Sequence, residues 1–142
     1  MFSNKFLIGT LVGGITFFLL GYLFYGLALS SFFMNHTIAP SGFMKNMDQI
    51  VWWALILGNL TSAALLSYIF LKLGNVSSFG SGARTGFAIG FFMSLSMGLV
   101  RFATENSLDL TGTLTDVAVG TLMTAIAGGV IGVLLGMGKK KA

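Results

Sequence analysis

The chain has no cysteine, one proline, one histidine and only four acidic residues among its 142. Without cysteine there are no disulfides, thiolate metal sites or cysteine nucleophiles. The scarcity of charge excludes more. Eight basic and four acidic side chains make up 8% of the residues, against roughly 25% in a typical soluble domain. They cannot cover a globule of this length, so most of the surface must face lipid or other apolar helices. No Ser-His-Asp order, zinc-protease helix or phosphate loop is present. His36, Asp48, Glu105 and Asp109 are scattered over two loops without the spacing of a metal ligand set. No enzymatic activity, cofactor or metal is expected. A net charge of +4 would suggest nucleic acid in a soluble protein. Here the basic residues flank apolar runs, where they orient a chain in a membrane, and no nucleic-acid partner is expected.

What is there is apolar sequence, 55% of the residues. It predicts an all-α membrane protein with a single membrane domain over residues 1–142. The four transmembrane helices fall at about 6–30, 50–71, 85–102 and 111–137, each within reach of a bilayer's roughly 30 Å core. Ala28-Leu29-Ser30 has the form of a signal-peptide cleavage site, but the apolar run before it exceeds the usual 7 to 15 or so residues, so a retained helix is expected. Residues 31–49, with Pro40 and His36, read as an extramembrane loop from which Asp48 caps the next helix. Trp52 and Trp53 mark a headgroup level. The Gly- and Ser-rich run from Gly74 to Arg84 reads as a tight connection.

Orientation follows from the basic residues. Lys5, Lys72, Arg84, Lys139, Lys140 and Lys141 fall on one side, and Lys45 and Arg101 on the other with Asp48, Glu105 and Asp109. Both termini are therefore expected in the cytoplasm, with the acidic loops outside.

Small residues supply the packing signal. Gly112, Asp116, Gly120, Thr124, Gly128, Gly132 and Gly136 recur at every fourth position of the last helix, and Gly82, Gly86, Gly90, Ser94 and Gly98 do the same around the third. Ladders of this kind let helix backbones approach closely in lipid. They predict a tight pair of the third and fourth helices, with the ladder's end from Gly128 to Gly136 turned toward something else, such as a second copy. Gly58 aligns with Gly120 and Ala63 with Ala125 at a constant offset, which suggests two tandem hairpins of equal orientation.

Asp116 is the one acid expected inside the hydrocarbon layer, where a charge costs about 2.5 to 3.5 kcal/mol on insertion scales. A bridge to Arg101 is its expected structural role; a proton or cation site is the functional alternative. Asn59, with Thr61 and Ser62, adds polar groups at membrane depth, expected to bond between helices.

The runs Leu20-Gly21-Tyr22-Leu23-Phe24-Tyr25-Gly26 and Ala127-Gly128-Gly129-Val130-Ile131-Gly132, with the Trp-bearing start of the second helix, resemble a family of small bacterial four-helix membrane proteins of unknown function. The resemblance implies this fold and a bacterial inner membrane, and no activity. Small multidrug exporters of similar size carry an essential acid in the first helix, which this chain lacks. Two readings stay open. One is a non-enzymatic bundle that self-associates or serves as a small subunit of a membrane complex. The other is a small oligomeric transporter or channel with Asp116 at its outer mouth and Arg101 and Asn59 along the path.

Overall fold

The computed structural model of the chain describes residues 3–138. Lys139, Lys140 and Lys141, half of the basic residues assigned to the cytoplasmic side, lie outside the described residues. Four helices are long and apolar enough to cross a membrane: Asn4–Ala28, Trp52–Leu73, Phe79–Thr104 and Leu110–Gly136.

The first of these changes character along its length. Helix α1 (Asn4–Gly21) starts at Ser3, whose hydroxyl accepts from the Phe6 N–H, and continues into a π-helical segment over Tyr22–Ala28. The backbone breaks at Leu29, and a short helix α2 (Ser30–Asn35) follows. A single 3-10 turn over Met47–Gln49 is closed by reciprocal bonds between Asn46 and Gln49. Asp48 lies inside that turn, so it does not cap the next helix. Helix α3 (Trp52–Leu73) begins from Val51 with no side-chain cap. It ends at Gly74, whose φ of 73° is the left-handed conformation that a β-carbon disfavours.

Helix α4 (Phe79–Thr104) begins well before the expected Thr85. The Gly- and Ser-rich run is thus a turn only as far as Ser78. From there Ser78 and Ser81 form a reciprocal cap, and the helix proceeds through Gly80 and on through Gly82, which is set against the α5 backbone, where tertiary contact overrides low propensity. Helix α5 (Leu110–Gly136) begins at Asp109, which caps it.

Helix α5 is the centre. It contacts α1, α3 and α4, whereas α4 packs chiefly on α5, and α1 pairs with α3. Along its most apolar stretch α5 is 50% buried, against 17% for α4. The core is assembled where three helices meet, around Leu66 and Phe70 of α3 and Ala127 and Ile131 of α5, all at most 2% exposed. The outward sides carry exposed Leu11, Ile15 and Leu19 of α1 and Phe87, Phe92 and Met97 of α4, a surface compatible with lipid. The aligned pair Gly58 and Gly120 have unlike surroundings. A β-carbon at Gly58 would meet open space, while one at Gly120 would lie 2.5 Å from the Ser94 hydroxyl.

Candidate functional site

The end of the bundle where α5 begins gathers its polar side chains. The first N–H groups of a helix have no partner within it, and a carboxylate there meets both that need and the positive end of the helix dipole. Asp109 does so: its Oδ1 accepts from the Gly112 N–H at 2.7 Å, and its Oδ2 lies 2.7 Å from His36 Nδ1. These contacts, the Gly112 N–H first and His36 second, hold the Asp109 carboxyl below the usual carboxylate range. Backbone bonds run alongside. Asp109 N donates to His36 O at 2.9 Å and Ile38 N to Ser107 O at 3.0 Å, and Thr37 and Leu108 form an antiparallel bridge. The end of α2 is thereby clamped to the start of α5. Among the described residues no three His, Asp or Glu side chains converge on a metal-sized site.

Asp116 follows two turns deeper on the same face of α5. The bridge to Arg101 expected from the sequence does not form. Instead Asp116 Oδ1 accepts from the Tyr25 hydroxyl at 2.5 Å. Tyr25 comes from the π-helical segment, and its ring lies 5.2 Å from that of Phe33 in α2. Arg101 turns to its own helix, with Nε 3.4 Å from Glu105 Oε2, both side chains about half exposed. Such a pair one turn apart is weak, yet a guanidinium near the helix end reaches it without leaving water.

Asn59 is not part of this group. Its Nδ2 donates to Leu55 O at 2.8 Å, and Thr61 and Ser62 likewise donate to the carbonyls of Leu57 and Gly58. The interhelical bonds expected of them are replaced by local ones, because the carbonyl four residues back is always within reach. Asn59 borders a groove of about 230 Å³ between α1 and α3, otherwise lined by Gly14, Ile15, Phe18, Ile56 and Leu60.

The glycines of α4 and α5 lie against one another. A β-carbon at Gly82 would collide with the Gly128 carbonyl oxygen, and one at Gly86 would come 2.5 Å from that of Thr124. One at Gly90 would press on the Thr124 side chain, and one at Gly98 on Val117. Gly132 and Gly136, expected to face outward, abut the carbonyls of Ser78 and Ser77 at the start of α4. The ladder's far end is thus filled by the same chain, since the early start of α4 brings it there.

At the opposite end Lys5 Nζ donates to Leu135 O at 3.0 Å and Met137 O at 3.1 Å. It satisfies carbonyls that the end of α5 leaves open. Sequence reading assigned Lys5 to orientation alone. The Lys5 bonds and the Tyr25–Asp116 bond together fasten α5 to the first span at both ends.

No family model matches the chain, and neither does any curated protein or solved structure.

Proposed function

We propose that this is a non-enzymatic integral membrane protein, a four-helix bundle of two tandem hairpins held by its glycine ladders, in a bacterial inner membrane with both termini cytoplasmic. It acts by association, with further copies of itself or as a small subunit of a membrane complex. The observation that supports this most is where Asp116 spends its bond. The one acid along the spans ties α5 to the first span through Tyr25, a use that holds the bundle together. Helix α4, resting chiefly on α5 with Phe87, Phe92, Met93 and Met97 exposed, offers the broad apolar side that association in lipid requires.

Purification in mild detergent with crosslinking and mass spectrometry tests the proposal. Crosslinks to a second copy or to another membrane polypeptide are expected; a solitary monomer with neither would overturn it. Sidedness is tested separately in the cysteine-free chain. Ser41→Cys should react with an impermeant reagent applied from outside, and Ser77→Cys only after permeabilisation.

A further inference from the structure

A cleft of about 430 Å³ opens outside the spans, at the end of the bundle where α5 begins. Its size falls in the range of small-molecule sites. One wall is built by the loop after α2. Phe43 N donates to Pro40 O at 3.2 Å, and Gly42 between them has a φ of 89°, the left-handed conformation that the third position of a type II turn requires. The turn brings Pro40 and Phe43 together, and with Ala39 they form an apolar wall. The facing wall is polar and follows α4 directly: Glu105, Asn106 and Ser107. Backbone bonds join the two walls, since Ile38 N donates to Ser107 O at 3.0 Å and Thr37 bridges Leu108. The cleft is therefore formed before anything enters it.

The polar wall has unmet bonding capacity. Ser107 is 5% exposed, yet its hydroxyl has no hydrogen-bond partner among the described residues, and burying such a group unpaired is costly. The Asn106 amide is likewise without a partner among them. Glu105 offers only Oε2 to Arg101, at 3.4 Å, and leaves its other oxygen open. A carboxylate, an amide carbonyl and a hydroxyl oxygen thus stand on consecutive residues along one cleft. A primary ammonium carries N–H donors and no acceptor, one donor for each of these oxygens, and the opposite wall covers an apolar body attached to it.

We propose that this cleft binds a small primary ammonium compound with an apolar body. Its charge rests on Glu105, its remaining N–H groups on the Asn106 carbonyl oxygen and the Ser107 hydroxyl, and its body against Pro40 and Phe43. The Glu105 carboxylate disfavours an anion, and a quaternary ammonium would leave the Ser107 oxygen unmet. Arg101 competes for the same carboxylate, but through a half-exposed pair of a kind that contributes little and that a ligand can displace. The site needs no second copy, so it stands or falls apart from association.

The test uses the full isotope-labelled chain in detergent at about pH 7, where amines and carboxylic acids are both charged, with phenethylammonium as the probe. Saturable shifts are expected at the amides of Phe43, Asn106 and Ser107, with a dissociation constant tighter than about 10 mM, and none at Gly74 at the opposite end. Glu105→Gln should weaken binding roughly ten- to a hundredfold, and Ser107→Ala roughly two- to tenfold. Arg101→Gln, which removes the competing cation, should tighten it roughly two- to fivefold. Phenethyl alcohol, the neutral counterpart, should bind at least about tenfold more weakly. The absence of saturable shifts overturns the site, as does binding that Glu105→Gln leaves intact, an alcohol that binds as tightly as the ammonium, or weaker binding in Arg101→Gln. If Ser107→Ala disturbs the spectrum beyond the two loops, Glu105→Gln decides, because that side chain is half exposed.

Discussion

Gly82 and Gly128 meet backbone to backbone: a β-carbon on Gly128 would lie 2.6 Å from the Gly82 carbonyl oxygen and 3.1 Å from the α-carbon of Gly86. No side chain stands between the two helices there, and backbone cannot swing aside as a rotamer can.

Gly128→Leu should therefore destabilise the bundle itself, by roughly 1 to 3 kcal/mol or more, seen as a lower unfolding midpoint in detergent. Gly58→Ala is the contrast. It adds a methyl to open space in a helix interior and should be neutral or stabilising by about 0.5 to 1 kcal/mol. Equal effects of the two would refute the assignment of the seam to α4 and α5.

Phe70 is 1% exposed and Phe92 is 70% exposed. Phe70→Ala should cost about 3 to 5 kcal/mol, the range for emptying an aromatic site in a core. Phe92→Ala should leave the unfolding midpoint nearly unchanged while weakening any crosslinked assembly that uses the outer side of α4.

Lys5→Ala removes the donor shared by the Leu135 and Met137 carbonyls. A loss of about 0.3 to 1 kcal/mol is expected from this end effect. Faster amide exchange confined to the last turn of α5 would report it, and unchanged exchange there would show that the contact does not hold that turn.

The clamp at the other end has a pH window set by Asp109. Its folded carboxyl titrates below the ordinary range, so its contribution is fully present above about pH 4. It is lost as the pH falls further, through the lowered folded value. Asp109→Asn, which keeps a capping oxygen, should flatten this acid dependence, and a stability profile that Asp109→Asn leaves unaltered down to strong acid would contradict the role.

The spans were legible because hydropathy is a local property: Trp52–Leu73 and Leu110–Gly136 lie within two residues of where their apolar runs place them. The start of α4 was not. Gly80 and Gly82 carry the composition of a turn, and the helix there rests on the Ser78–Ser81 cap and on the backbone of α5 set against Gly82. The partner of Asp116 was hidden for a different reason. Regular periodicity gives no sign that Tyr22–Ala28 is wound wider, and the facing of Tyr25 depends on that winding. The pair of Arg101 with Glu105, four apart in sequence, is one that helical spacing alone permits. The pairing of His36 with Asp109 depends on the bridge between Thr37 and Leu108, which joins segments about seventy residues apart and leaves no local trace.

The central position of α5 bears on how the protein is made. It is the last of the four helices to leave the ribosome, yet α4 has little else to rest on and the first span is fastened to it at both ends. Until α5 is made, the earlier helices must wait as a loose pair and a single helix. The moment of closure therefore waits for α5 itself, and a nascent chain halted before Leu110 would present the glycines of α4 to whatever helix came first.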